Sequence, residues 1–386
     1  MRILEKFFGI TRNRVSEVIA IDVGTASLSA ALAKKGSSVP IEVVSVLRYS
    51  VDFVSSHEGL DNQRRALYLM KKNLAQLFVD AHTTLPGAEA IEISVSEPFF
   101  QAHHSRTVFP RESPHNRITR EELDSITLKL SQDTAGTPGP FSQSLRVVRN
   151  IVQRGWINGY ELKDPVGYRG AELEIEFEAL LISRALHGYL EEFRTRWFPR
   201  ALLRYHTDPE MLEYALFESS LLQLPALLLD IGGEATSIVV ISDGHTRTLC
   251  GPVFFGVRTL ERRIMEFTRC SMEHAESVLR RYTSHTMDSQ EEGRIAPILE
   301  SAVEEWMASV AQSFRTTRIS SIRSLFLSGQ GRDIPLFRRT IERRIHDLTS
   351  SPAGLYELTI PLDHLFPPKL LHSGGDSILA LLLLHS

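Results

Sequence analysis

Two aspartates stand at the ends of apolar runs, and small residues follow each of them. Asp22 precedes Val23-Gly24-Thr25-Ala26-Ser27, and Asp230 precedes Ile231-Gly232-Gly233-Glu234-Ala235-Thr236. Small residues let backbone N–H groups approach an anion closely, and successive N–H groups form an anion-binding concavity. A carboxylate at a strand end can hold a hydrated Mg²⁺, which prefers oxygen ligands. The pattern predicts that the two segments face each other and clamp a polyphosphate.

The two segments share their spacing as well as their residue types. A second apolar strand follows each turn, and the interval from Asp22 to Gly36 equals that from Asp230 to Gly244. Asp-x-Gly after an apolar strand often marks only a turn, and this interpretation is sufficient for either copy alone. Two copies with one spacing favour a phosphate site, in which each copy folds as strand, turn, strand, turn, strand.

A third glycine-rich turn lies between an apolar run and a helix. Ser328-Gly329-Gln330-Gly331 follows Leu325–Leu327, and the apolar spacing predicts a helix from about Ile334 to Ile345. A turn of this kind can accept a base or a sugar, although most turns between a strand and a helix are purely structural.

These turns require two α/β halves that flank a cleft. We expect residues 15–90 and 184–224 to form the first half. Residues 225–386 would form the second half, with a helical subdomain at about 257–320. Residues 91–183 read as a small inserted α+β domain, and residues 1–14 as an N-terminal amphipathic segment.

The inserted segment carries its own strand and helix signals. A strand from Ile91 to Ser96 opens it, and Thr119 with Glu122 predicts the start of a helix. Further strands are predicted at Leu145–Gln153, Trp156–Leu162 and Leu173–Ile182. In the last of these, Glu174, Glu176 and Glu178 alternate with apolar residues, which predicts a half-buried strand with a solvated acidic face.

The three turns, in this order, resemble the two phosphate motifs and the adenosine motif of the actin/Hsp70/sugar-kinase ATPase superfamily. Within it, residues 158–170, which include Asp164-Pro165-Val166-Gly167, are similar to the FtsA branch of bacterial actin homologues. The resemblance covers roughly residues 15 to 384. It implies an α/β fold with duplicated actin-like, ribonuclease H-like ATPase domains flanking a nucleotide cleft, and an inserted SHS2-like domain that contacts the next subunit.

The resemblance also implies ATP and Mg²⁺ as ligands, with Asp22 and Asp230 holding the metal through water. The nucleotide-binding residues it implies are Asp22, Gly24, Thr25, Ala26, Ser27, Asp230, Gly232, Gly233, Glu234, Ala235, Thr236, Gly256, Glu276, Arg280, Gly329, Gln330 and Gly331. Glu276 and Arg280, one helical turn apart, match residues that hold ribose and adenine in related ATPases. An ordinary exposed ion pair also explains their spacing and is the preferred interpretation.

Three positions depart from the family pattern. Glu234 stands where FtsA proteins usually have a third glycine, and its carboxylate would repel a bound phosphate unless it turns outward. Ser237 replaces an acidic residue, and Gln330 replaces the second glycine of the adenosine motif. Nucleotide binding is therefore expected, hydrolysis is left open, and no catalytic residue is assigned.

The resemblance implies a self-associating cell-division protein that tethers the FtsZ ring to the cytoplasmic membrane at the division site. Arg262, Arg263, Arg280 and Arg281 are candidate contacts for the FtsZ tail. Two alternatives remain. One is a PilM-like adaptor that binds a cytoplasmic peptide of a pilus membrane protein. The other is a phosphotransferase of the same superfamily.

The first ten residues have the character of an interfacial helix. Ile3, Leu4, Phe7 and Phe8 share one helical face, and charged residues occupy the other. Such a helix lies in the lipid headgroup region, so peripheral membrane contact is expected here. A terminal helix packed on the domain, or a tail without structure, would account for the same pattern.

Composition limits the remaining classes of protein. The chain has 386 residues and a net charge of −4, which argues against a general nucleic-acid binder, since such proteins carry a strong basic excess. Its two cysteines predict a reducing cytoplasm and no disulfide framework. The longest apolar run, Ile378–Leu384, is far short of the roughly 20 residues that span a membrane. We expect it to form a short buried helix that closes the second half.

Overall fold

The computed structural model describes residues 15–36, 41–51, 60–97, 99–136, 145–162, 164–217, 221–242, 247–317, 319, 321–349, 353–357 and 376–385. It divides into two compact units. The core unit comprises Met1–Glu97 and Glu192–Ser386, and the inserted unit comprises Pro98–Glu191.

The strands in chain order are β1 (Val15–Val23), β2 (Ser27–Gly36), β3 (Glu42–Ser50), β4 (Ala90–Val95), β5 (Phe100–Pro110), β6 (Leu145–Ile157), β7 (Tyr160–Leu162), β8 (Glu172–Ser183), β9 (Leu202–Thr207), β10 (Ala226–Ile231), β11 (Thr236–Ile241), β12 (Arg247–Leu249), β13 (Ser324–Ser328) and β14 (Gly354–Glu357). The helices are α1 (Leu60–Thr84), α2 (Arg120–Gly136), α3 (Arg184–Trp197), α4 (Asp208–Phe217), α5 (Val257–Thr268), α6 (Met272–Thr283), α7 (Ser289–Arg315), α8 (Pro335–Arg344) and α9 (Asp376–His385).

The core unit contains two five-stranded sheets with the same topology. Their strand orders are β3-β2-β1-β4-β9 and β12-β11-β10-β13-β14. In each sheet the first three strands of the sequence pair antiparallel, and the remaining two add in parallel. The registers match too, because Asp22 lies opposite Ser29 and Asp230 lies opposite Ser237. The predicted duplication is therefore confirmed. Gly244, which the spacing placed in a turn, lies outside the described residues.

The central strands β1, β2, β10, β11 and β13 are mostly buried, because both of their faces are covered. β10 and β11 are buried over almost their whole length, as expected for strands with packing on each side. On one face of the second sheet, α5, α7 and α8 pack around an extensive apolar cluster. Trp306 of α7 lies at its centre, with its ring 4.7 Å from that of Phe337 and its Nε1 donating to Thr236 Oγ1 at 2.9 Å.

Helix α9 contacts the first sheet rather than closing the second half alone. It packs on α4, β1, β2 and β4. Its residues Leu379 and Leu381–Leu383 share one cluster with Val18 and Ala20 of the first sheet and with Leu228 and Phe326 of the second. The expected short buried helix is therefore present. It packs mainly on the first half, however, so the expectation that it closes the second half is wrong. An apolar helix is buried wherever two apolar faces meet, and here both sheets offer one. Within the part of the chain described, no helix is both long and apolar enough to cross a bilayer.

The inserted unit is a four-stranded antiparallel sheet, in the order β5-β8-β6-β7, with α2 packed on one face. The expectation that residues 91–96 open this unit is wrong. They form β4, which pairs in parallel with β1 and so belongs to the first sheet. Strand β5, at the edge of the inserted sheet, was not predicted from the sequence. Its many polar residues obscure the alternation of apolar and polar side chains that marks a strand. Thr119 Oγ1 accepts from the Glu122 N–H at 3.1 Å, as the capping pattern predicts.

The acidic face of β8 is paired rather than merely solvated. Arg106 Nε lies 2.6 Å from Glu174 Oε1, and Arg154 Nε lies 3.7 Å from Glu176 Oε2. Glu178 is buried beside His104 and Arg149. The neighbouring strands β5 and β6 therefore neutralise the stripe within this unit.

Candidate functional site

Two four-residue turns form the centre of the candidate site. The Gly24 N–H donates to Ser27 O at 3.0 Å, and the Gly232 N–H donates to Ala235 O at 2.9 Å. A Cβ at Gly24 would lie 3.0 Å from Ser27 O, and one at Gly232 would lie 3.1 Å from Ala235 O. The duplication therefore extends to individual hydrogen bonds, and each tight turn has little space for a side chain at its first position.

The two turns touch across the cleft. The Glu234 N–H donates to Thr25 Oγ1 at 3.0 Å. A Cβ at Gly233 would lie 2.5 Å from the Cβ of Ala26. Gly233 is thus required by the close approach of the first turn, and the hydrogen bond joins the two sheets at this point.

The cavity between the turns has a volume of about 70 Å³. The predicted residues that line it are Asp22, Gly24, Thr25, Ala26, Ser27, Asp230, Gly232, Gly233, Ala235, Gly329 and Gln330. The other predicted nucleotide-binding residues lie outside this lining: Glu234, Thr236, Gly256, Glu276, Arg280 and Gly331. The structure therefore brings the three glycine turns together but leaves the expected ribose and adenine residues apart from them.

Two further carboxyl groups share the cavity with Asp22 and Asp230. They belong to Glu97, just after β4, and Asp208, just after β9. Sequence reasoning missed both. The available signal was an acidic residue within two positions of a strand end, since parallel strands meet at their carboxyl ends and ligands bind there.

Serine hydroxyls hold these carboxyl groups in place. Ser94 Oγ donates to Asp208 Oδ1 at 2.5 Å, and Ser96 donates to its other oxygen. Ser328 Oγ donates to Asp230 Oδ1 at 2.7 Å. Ser237, on the second sheet, donates to Glu97 on the first. The hydroxyls compensate part of the cost of burying carboxyl groups in one small cavity.

Burial and mutual repulsion favour the protonated forms of these groups. Burial, followed by the charge of Asp208, raises the pKa of Asp230 to about 7. Burial, with the nearby Asp230 and Asp208, raises the pKa of Glu97 to about 7. Burial likewise raises the pKa of Asp208. The cavity thus favours protons or cations over additional negative charge.

A polar row on β4 and β9 leads to Asp208. Glu92 is 1% exposed, and its Oε2 lies 2.9 Å from His206 Nε2. Arg204 Nη1 lies 2.5 Å from Glu92 Oε1. In the parallel register His206 lies opposite Ser94, which itself holds Asp208. These contacts of Glu92 with Arg204 and His206 therefore join β4 to β9, the two strands that are followed by Glu97 and Asp208.

The third turn closes the cavity with a required glycine. Gly329 has a left-handed φ of +76°, and a Cβ there would lie 2.7 Å from Asp230 Oδ1. Gly331 instead packs against Ile231 in the core. Arg332 lines the cavity and was missed from the sequence. It is the only basic residue among the described residues of the lining.

Glu234 turns away from the cavity. Its carboxylate forms a two-pronged ion pair with Arg262 of α5, at 2.9 Å and 2.8 Å. Gly256 explains why α5 lies so near, because a Cβ there would lie 2.4 Å from the carbonyl oxygens of Gly232 and Gly233. The Val257 N–H donates to Gly232 O at 3.0 Å, so the start of α5 rests on the second turn.

Glu276 and Arg280, which are expected to hold ribose and adenine, lie on α6. Arg258 Nη1 lies 3.8 Å from Glu276 Oε2 and 2.8 Å from Glu261 Oε2. Glu276 thus pairs with Arg258 of α5, and Arg280 is exposed. Of the arginines proposed to bind a partner, Arg263 pairs with Glu305, Arg281 pairs with Glu291 and Arg262 pairs with Glu234. The candidate membrane residues Ile3, Leu4, Phe7 and Phe8 lie outside the described residues.

No protein-family profile matches the chain, and no curated protein matches it significantly. Solved structures do. The chain is similar to a chain of the PilM-PilN type IV pilus biogenesis complex, with 14% identity and a TM-score of 0.63 over 96% of this chain and 98% of that one. It also matches ethanolamine utilization protein EutJ from Carboxydothermus hydrogenoformans, with 13% identity and a TM-score of 0.44 over 94% and 88%. A protein with an actin-like ATPase fold and unknown function from Bacteroides thetaiotaomicron matches with 12% identity and a TM-score of 0.43 over 95% and 96%. The duplicated sheets and the full-length likeness to the PilM–PilN structure together show that this chain has the actin-like ATPase fold.

Proposed function

We propose that the chain is an ATP-binding adaptor of the PilM type, which binds a segment of a membrane-protein partner. The observation that carries this proposal is the likeness to the PilM–PilN structure, which covers 96% of the chain and therefore extends through the inserted unit. A protein that combined this cleft with such a partner would act on the inner face of a membrane. Self-association, as in other actin-like proteins, is part of the proposal.

The residues present fit a magnesium nucleotide. Asp22 and Asp230 face the cavity from equivalent positions, where they could hold a hydrated Mg²⁺. Glu97 also lines the cavity, and its Oε2 is buried without a hydrogen-bond partner among the described residues. An oxygen in that state suits a bound cation or its hydration water. When bound, Mg²⁺ would supply the positive charge that four carboxyl groups and a polyphosphate both need.

Binding requires the cleft to open, since the cavity of about 70 Å³ is smaller than the ~300–1,000 Å³ of typical ligand pockets. Opening breaks the hydrogen bond from the Glu234 N–H to Thr25 Oγ1. The freed Glu234 N–H of the second turn would then meet a phosphate. A nucleotide shifts this equilibrium only as far as it binds one state more tightly than the other.

Calorimetric titration of the full chain with ATP tests nucleotide binding. We expect saturable binding with Mg²⁺, and a loss of at least about tenfold in Asp22→Ala, because that variant lacks one of the facing carboxylates. Asp124→Ala, at an exposed position of α2, is the control. Failure of the natural chain to bind ATP or ADP would refute the nucleotide part of the proposal.

The FtsA-like role is the second candidate, and residues 158–170 support it. Within this segment the Asn158 side chain accepts from the Ala171 and Glu172 N–H groups, and the Asp164 side chain accepts from the Val166 N–H. This is the segment that resembles FtsA in sequence. In that role the partner would be the FtsZ tail, at the division site.

One experiment separates the two roles. The full chain is titrated with a PilN-type protein segment and, separately, with an FtsZ C-terminal tail peptide, each with and without Mg-ATP. Binding of the PilN-type segment alone supports the adaptor proposal. Binding of the FtsZ peptide alone would replace it with the division role, and binding of neither would refute both.

A further inference from the structure

The second turn contains an acidic residue at the place where backbone N–H groups would meet a phosphate. Glu234 lies between Gly233 and Ala235, which both line the cavity. Its own N–H points across the cleft to Thr25 Oγ1. The backbone of Glu234 therefore belongs to the anion-binding turn, although its side chain carries a negative charge.

Arg262 binds the Glu234 carboxylate on the side away from the cavity. Both of its terminal nitrogens bond the two carboxylate oxygens of Glu234, and Nη2 also lies 3.2 Å from Thr259 Oγ1. The pair is mostly buried, with side-chain exposures of 22% for Arg262 and 15% for Glu234. A two-pronged pair of this kind fixes direction as well as charge.

Hydrogen bonds to the second turn hold the start of α5, and thereby the position of Arg262. Its first N–H groups, of Val257 and Arg258, donate to the carbonyl oxygens of Gly232 and Gly233 at 3.0 Å and 2.8 Å. Arg262 lies one turn further along the same helix, so its side chain returns to the next residue of the second turn. Helix α5 therefore bonds both to the backbone of the second turn and to the Glu234 side chain.

The position of the Glu234 carboxylate is important because the cavity is already lined mainly by acidic residues. Asp22, Glu97, Asp208 and Asp230 already line it, against Arg332. A released Glu234 carboxylate would place one more negative charge beside the phosphates. At an effective dielectric of about 20, one unit charge several ångströms away changes anion affinity by about tenfold or more.

We propose that Arg262 is a positioning residue that holds the Glu234 carboxylate out of the cleft and so permits a polyphosphate to bind an otherwise acidic turn. This inference rests on the proposed nucleotide site. It assigns Arg262 to the cleft instead of to a partner surface. It also explains how a glutamate can replace the glycine of the family pattern.

The test measures the affinity for Mg-ATP by calorimetry in a cycle of full-length variants. Arg262→Ala is expected to weaken binding by about tenfold, because Glu234 is released. Arg262→Ala combined with Glu234→Gly should restore the affinity of the natural chain. Arg263→Ala is the matched control, since Arg263 lies on the same helix but pairs with the exposed Glu305. Thermal melting of each variant reports whether it is folded.

Rescue separates the proposed role from a structural one. If Arg262 only anchors α5, the double variant stays as weak as the single variant, and the proposal is overturned. Natural affinity in Arg262→Ala overturns it too. No ATP binding by the natural chain overturns both this inference and the nucleotide site, whereas ATP binding without either partner peptide refutes only the adaptor and division roles.

Discussion

Glu97 shows how a single carboxyl group links the two sheets. It follows β4 of the first sheet, accepts from Ser237 of the second, and shares the cavity with Asp208 and Asp230. Burial raises its pKa from 4.5 to about 7. Between these two pH values the folded chain retains a proton on Glu97 that the unfolded chain has released.

This difference predicts that acid stabilises the folded chain. The stabilising contribution is fully present below about pH 4.5 and is lost as the pH rises through about 7. Asp230, whose pKa is also raised to about 7, acts in the same direction. In Glu97→Gln the amide stays neutral, so we expect a higher melting temperature than the natural chain near pH 8 and a smaller fall from about pH 5.5 upward.

The measurement is calorimetric melting of both chains across this pH range. Glu112→Gln, at an exposed position of the inserted unit, should keep the pH dependence of the natural chain. If Glu97→Gln melts in parallel with the natural chain at every pH, Glu97 is already ionised in the folded state and the expectation is wrong.

At the scale of elements, the contact between α5 and the second turn depends on one glycine. Gly256 precedes α5, and any Cβ there would overlap the carbonyl oxygens of Gly232 and Gly233 at 2.4 Å. The start of the helix rests on these same carbonyls. A larger residue must therefore move either the helix or the turn, and both contribute to the cleft.

Two glycine substitutions test this dependence. Gly256→Ala should lower the free energy of unfolding by about 1–3 kcal/mol, the usual cost of overpacking, and should weaken Mg-ATP binding. Gly293→Ala is the matched control. Gly293 lies within α7, with no atom within 4 Å of its added Cβ, so alanine should stabilise the chain by about 0.5–1 kcal/mol. Urea unfolding of both variants provides the comparison, and equal stability of Gly256→Ala and the natural chain would contradict the tight contact.

At the scale of the whole molecule, the sequence predicted what is local and repeated. The aspartate-ended strands, the glycine turns and the duplicated topology follow from residue types at fixed intervals. The helix after the third turn, expected at Ile334–Ile345, is α8 at Pro335–Arg344. Each of these features is encoded within a few tens of residues, where hydrophobic period and turn chemistry are readable.

Features that depend on distant segments escaped the sequence. Glu97, Asp208 and Arg332 reach one cavity only because the parallel strands bring their ends together. The orientation of the Glu234 side chain depends on Arg262 of α5. The position of α9 depends on which sheet has an uncovered apolar face. Residues 91–96 were assigned to the wrong unit because a strand does not show its partner in its own pattern.

Opening of the cleft involves both sheets of the core unit, and hydrogen exchange of the Glu234 N–H can measure it. The Glu234 N–H has its acceptor, Thr25 Oγ1, on the opposite sheet, so its hydrogen exchange requires the two sheets to separate locally. Thr25→Val keeps the shape of the side chain but removes the acceptor. We expect faster exchange of the segment 231–236 in that variant and, in the natural chain, slower exchange when Mg-ATP occupies the turns. Segment 238–241, whose hydrogen bonds lie within the second sheet, is the internal control. Exchange at 231–236 that is unaffected by Thr25→Val would mean that the hydrogen bond between the turns does not hold the cleft closed.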